Sequence, residues 1–139
     1  MRRLMAMAMM LVALIAPALG QDDAAPWQAI VTGQIEAFRA QDGVAALKFA
    51  GEGFRARFED QPEAFYGAII ASGYGPIAES RSHSFGKFNR LSEGAVLQVV
   101  KFVGNDQALH EAVYQLVDEP DEGWRVQGVI MRREAGIGI

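Results

Sequence analysis

The chain has 139 residues, a formal charge of −4, half of its residues hydrophobic and no cysteine. That length suits one domain with a single core. The acidic balance speaks against nucleic acid and anionic membrane as partners, since both call for clustered lysine and arginine, and the absence of cysteine excludes disulfides and thiolate chemistry.

Residues 1–20, "MRRLMAMAMMLVALIAPALG", have the three parts of a secretory signal. Arg2 and Arg3 form a positive start, Leu4 to Ala16 an apolar run, and the small residues Ala18 and Gly20 suit cleavage before Gln21. An apolar run this short is a poor membrane span. Cleavage removes two arginines and no acid, taking the formal charge from −4 to −6. The expectation is a periplasmic or secreted protein whose residues 21–139 form a single domain, with no membrane insertion after cleavage. Beyond the signal, the one basic cluster is the short "MRR" of 131–133.

Helical spacing comes first. Pro26 suits a first turn, followed by Trp27, Val31, Ile35 and Phe38 at near four-residue intervals. Asp42-Gly43 ends that helix, and Asp42 can cap a short second one through Val44, Leu47 and Ala50. Gly51 and Gly53 are expected to interrupt it before "FRARF". A third helix is predicted for "PEAFYGAIIAS", with Pro62 near its start, Phe65 and Ile69 on one side and Gly73 just past its end.

The period then changes. "SRSHSFGKFNRL", "AVLQVVKFV", "ALHEAVYQLV" and "WRVQGVIMR" are rich in branched and aromatic residues and are separated by turn chemistry, "SEG", "GNDQ" and "DEPDEG". Short connections make neighbouring strands antiparallel. The predicted class is α+β, with N-terminal helices packed on one face of a curved antiparallel sheet of about four strands.

"QIEAFRAQDGVAALKFA", "GYGP", "FGKF", "EAVYQL" and "GWRVQGV", in this order between Gln34 and Val129, resemble a family of secreted bacterial proteins known as domain of unknown function 4864. The order of elements is similar to the nuclear-transport-factor-2-like, or cystatin-like, superfamily that includes ketosteroid isomerase and scytalone dehydratase. The resemblance implies a cone-shaped fold, a secreted compartment and frequent dimerisation through the sheet. The family brings no established activity, while enzymes of the superfamily do acid–base work inside the cone with Asp, His and Tyr.

His110 and Glu111 stand side by side in "LHEAVYQLV" and invite a catalytic reading. On a strand, however, adjacent side chains point to opposite faces, so they cannot form a dyad. With Asn105-Asp106 as a two-residue turn, Lys101 is predicted opposite His110 and Val100 opposite Glu111. Under that register one face of the hairpin joins Val96, Gln98, Val100 and Phe102 to Leu109, Glu111, Val113, Gln115 and Val117. The other joins Leu97, Val99, Lys101 and Val103 to Ala108, His110, Ala112, Tyr114 and Leu116. Neither face is polar, although a sheet wetted on one side should show one that is. Helices can cover only one face, so the other is expected to meet a second copy in a homodimer.

Candidate catalytic residues are Tyr74, His83, His110 and Glu111. Tyr74 lies in "SGYGP", where glycines and a proline can aim its hydroxyl. The two histidines are general acid–base candidates, and Glu111 would gain proton affinity if it faced inward. Candidate ligand-binding residues are Phe65, Ile69, Tyr74 and Tyr114. No cofactor or metal is expected, because two histidines without HxH, HExxH or cysteine partners make a poor metal site. "GEG" and "GYG" lack the context of a phosphate loop, and no serine lies in a GxSxG elbow. Three functions stay open: a module binding a small apolar or amphipathic molecule in a helix–sheet cavity, an acid–base enzyme of isomerase, dehydratase or hydrolase type, and a non-catalytic subunit of an envelope assembly.

Overall fold

The computed structural model describes residues 24–132, so the expected signal segment and its cleavage point lie outside the described residues. Helix α1 spans Pro26–Arg39, with Pro26 in its first turn, and buries Trp27, Val31, Gln34, Ile35, Ala37 and Phe38 as one stripe. Asp42 caps α2, Gly43–Lys48, by accepting a hydrogen bond from the Ala45 amide at 3.0 Å. A side chain at Gly43 would sit 2.8 Å from the Glu63 carbonyl oxygen, so glycine lets α2 begin hard against the backbone at Glu63 and Tyr66.

After α2 the chain touches the sheet. The Val126 amide donates to the Phe49 carbonyl and the Gly51 amide donates to the Val126 carbonyl, both at 2.8 Å. Helix α3, Glu52–Arg57, follows at once. Gly51 marks the break as expected, but Gly53 lies inside α3. A carboxylate offsets that glycine's poor propensity: Glu119 accepts from the Glu52 amide at 2.9 Å and from the Arg55 guanidinium at 3.1 Å.

The predicted third helix is instead three pieces. Helix α4, Ala64–Ile69, runs into a π-helical turn, Ile70–Tyr74, and then α5, Gly75–Ala78. Gly73 does not end the helical run. It takes φ +99°, a conformation open to glycine, and kinks the chain into α5, where Pro76 occupies the first turn.

Strands β1, Ser80–Ser92, β2, Ala95–Gly104, β3, Leu109–Glu119, and β4, Gly123–Arg132, form one antiparallel sheet in the order β1-β2-β3-β4. The class is α+β, with the helices across one face of a curved sheet, as predicted.

The β2–β3 register differs from expectation by one residue. His110 pairs with Phe102, and Glu111 with Lys101. The turn is not the two-residue Asn105-Asp106 form. Gly104 and Ala108 close the loop at 2.8 Å, Gln107 takes φ +69°, and the Asp106 carboxylate accepts from the Ala108 amide at 3.0 Å. That is a three-residue loop ending in a left-handed residue, and its additional residue shifts every pair by one. The face memberships change accordingly. Val96, Gln98, Val100 and Phe102 share the helix-facing side with Ala112, Tyr114 and Leu116, and all seven are fully buried. Leu97, Val99, Lys101 and Val103 share the outer side with Leu109, Glu111, Val113, Gln115 and Val117.

Candidate functional site

Phe65 anchors the helical layer over the β3–β4 half of the sheet. It is 2% exposed, and its ring lies 5.7 Å from Phe38, 5.8 Å from Phe54 and 5.2 Å from Phe58, centroid to centroid. These rings, in tilted and edge-on contacts, hold α1, α3 and α4 together from above. Below them the layers do not fully meet, leaving a cavity of about 240 Å³. Phe38, Phe54, Phe65, Ile69 and Ile77 close it from the helices, and Tyr114, Val126 and Val129 from the sheet. The polar side chains in its wall are Gln34, Ser72, Tyr74 and Tyr114.

Each polar group has a definable state. Gln34 donates its amide to the Ala46 carbonyl at 3.2 Å, and Ser72 donates to the Ala68 carbonyl at 2.8 Å. Tyr74 donates to the Val129 carbonyl at 2.7 Å, latching the π-helical turn to β4. Tyr114 is different. Its side chain is fully buried, and its hydroxyl makes no hydrogen bond to the described residues. Burial pushes the phenol well above its usual range, against an opposing pull from Arg39, so it stays protonated. Among the described residues the wall holds no carboxylate, imidazole or amine.

The sequence-predicted residues separate into three places. Phe65, Ile69, Tyr74 and Tyr114 all line the cavity. His83 lies elsewhere, between β1 and α1. Arg39 can only donate, so its contact to His83 Nδ1 at 3.1 Å makes that nitrogen the acceptor, and Nε2–H then donates to Thr32 Oγ1 at 3.1 Å. Burial first, then Arg39, lowers the His83 pKa from its ordinary 6.5, while Glu36 pulls the other way. Both nitrogens are occupied by structural partners.

His110 flanks Phe102 on the side away from His83, so the two histidines bracket one phenylalanine across three strands. Both border a second depression of about 270 Å³ with Ser82, Ser84, Lys101, Val103 and Leu109. By strand alternation those five side chains belong to the outer face, whereas the His83 ring points to α1. Glu111 faces outward as well. It pairs with Arg132 at 2.6 Å and lies opposite Lys101, not Val100. The inward Glu111 that would have gained proton affinity is not the geometry present.

Sequence reasoning missed Gln34, Phe38, Phe54 and Val129 as wall residues. Gln34 carried a signal. It is the polar member of the otherwise apolar α1 stripe, between Val31 and Phe38, and a buried amide among apolar neighbours needs a partner. Phe54 carried none, because its position depends on how Glu119 docks α3.

Among curated proteins, none matches the chain. Two solved structures are similar in fold. A Campylobacter jejuni protein named as a candidate nuclear-transport-factor-2-like transpeptidase is 8% identical over 75% of this chain and 99% of its own, with a TM-score of 0.53. A domain of unknown function with a cystatin-like fold from Nostoc punctiforme is 13% identical over 86% of this chain and 82% of its own, with a TM-score of 0.59. At such identities these likenesses show a shared fold. The family comes from the sequence itself: a family model matches residues 20–139, and the chain belongs to the family described as domain of unknown function DUF4864.

Proposed function

We propose that this protein is a periplasmic or secreted binding module that holds a small, mainly apolar molecule between its helices and its sheet. The observation that carries the reading is the cavity, walled by phenylalanine, isoleucine and valine from helices and sheet alike. It is smaller than most pockets for drug-sized ligands, which points to a compact molecule. Acid–base catalysis is less well supported, because His83, His110 and Glu111 do not line the cavity. The compartment rests on the signal-like residues 1–20.

A second copy of the chain is the partner we assign to the outer sheet face. Leu97, Val99, Val103, Val113 and Val117 are half-buried there, and Leu109 and Ile130 are 53% and 66% exposed. Native mass spectrometry of the protein purified from the producing organism's envelope tests the whole reading. The expected species is a dimer of chains starting at Gln21, carrying extra mass that denaturation releases. Apo protein that also binds no small aromatic or medium-chain ketone in calorimetry would refute the binding module.

A further inference from the structure

We infer that the outer edge of β1 takes up an extended peptide segment of alternating acidic and apolar residues as a further strand of the sheet. This surface is separate from the cavity, and the inference does not depend on the binding reading above.

The sheet has two edges, β1 and β4. On β4 the edge is engaged: the Val126 amide and carbonyl bond to Phe49 and Gly51, and the Val129 carbonyl accepts from Tyr74. On β1, a strand of 13 residues, no other described strand lies outside it. Which of its backbone groups face outward follows from β2. The Gly104 amide donates to the Ala108 carbonyl and the Asp118 amide to the Gly94 carbonyl, so even-numbered residues of β2 turn their backbone toward β3. Phe102, Val100, Gln98 and Val96 are opposite His83, Phe85, Phe88 and Arg90. The amides and carbonyls of those four β1 residues therefore point away from the sheet, which makes them a template for another strand.

Side chains decide which strand fits. His83, Phe85, Phe88 and Arg90 share the helix-facing side, where Phe88 is 48% exposed although its ring packs on Trp27. Ser82, Ser84, Lys87 and Asn89 share the other side, with Lys87 at the bulge opposite Val99. Arg81, Lys87 and Arg90 are exposed, and no acid lies between Ser80 and Ser92. Glu79 and Glu93 flank the strand, and Glu36 of α1 acts on His83. A second copy pairing edge to edge would set these cations against their own kind, which is how lysines and bulges protect an edge. An acidic guest reverses that sign. Its acids meet Lys87 on one side, and its apolar residues cover Phe85 and Phe88 on the other. Residues directly opposite in an antiparallel pair share a side, so the guest's apolar residues are the ones whose amides bond to β1.

The test uses residues 21–139 and the peptide Ac-EVEVEVE-NH2, with amide exchange followed by NMR. The amides of His83, Phe85, Phe88 and Arg90 are expected to exchange readily alone and to gain protection with the peptide, while those between β2 and β3 do not change. The double variant Arg81→Glu, Lys87→Glu alters only exposed side chains and should bind about tenfold more weakly at low ionic strength. N-methylation of the valines should abolish binding, whereas N-methylation of the glutamates should not. Protection of the four amides without peptide would assign the edge to a second copy and overturn the proposal. Equal binding of Ac-KVKVKVK-NH2 would overturn the charge complementarity. Binding that survives valine methylation would show a charge contact without strand addition. If Ac-EVEVEVE-NH2 does not bind, the edge site falls while the cavity reading stands.

Discussion

Gln98 has no exposed surface, yet both ends of its amide are engaged. Its oxygen accepts from the Trp27 indole at 2.8 Å and the Gln28 amide at 3.2 Å, and its nitrogen donates to the Gly86 and Val99 carbonyls at 2.9 Å. One side chain thereby ties α1 to the bulge that interrupts β1–β2 pairing between Phe85 and Phe88. Gln98→Leu fills the same space and strands the indole N–H and the Gly86 carbonyl. It should lower the unfolding free energy by about 2–4 kcal/mol in urea denaturation, because each stranded buried group costs about 1–3 kcal/mol. His83 makes a different prediction. Its folded pKa lies below 6.5, so the unfolded chain takes up the proton first as the pH falls. Its contribution is present above 6.5 and is lost as the pH drops from 6.5 through the folded value. The wild-type denaturation midpoint should therefore fall more between pH 7.5 and 5 than that of His83→Gln. Equal falls would show that the Thr32–His83–Arg39 contacts are not coupled to stability.

The segment most exposed to change is the run α4, π-helical turn, α5, which forms the cavity's rim. Its helices are too short to be stable alone, so their position depends on the buried Phe65 side chain of α4 and on the Tyr74 latch to β4. Tyr74→Phe should cost about 0.5–1.5 kcal/mol globally, the net value of one hydrogen bond. Its larger effect is local: amide exchange over residues 70–78 should quicken while the amides of β2 and β3 keep their protection. Uniform acceleration across the sheet would mean that the rim does not open on its own. The same segment was only partly legible. Its apolar spacing predicts a helix, but a glycine is equally suited to end a helix or to kink it, and Gly73 kinks it because Tyr74 is held on β4.

For the whole molecule, the outer sheet face carries the testable consequence. Val113 lies on that face beside Val99 and Ile130 and is half-buried in the single chain. In the proposed dimer it becomes fully buried, so Val113→Lys should convert the species in sedimentation velocity from dimer to monomer. The melting temperature at low protein concentration should change little. A monomeric wild type would remove the partner assigned to this face.

That helices come first and four antiparallel strands follow was determined by the sequence alone, since helical spacing, strand composition and turn residues are local properties. Tyr74 and Tyr114, with Phe65 and Ile69, were also recognisable as residues of interest by type and position. Which of them meet was decided only in three dimensions. One additional loop residue, admitted by Asp106 and Gln107, reset the β2–β3 pairing and joined the fully buried half of β2 to the Tyr114 side of β3. Glu119, far along the chain, sets where α3 and Phe54 lie over the cavity. Register and docking are long-range matters, settled by the difference between competing tertiary contacts, and no window of local sequence contains both sides of that difference.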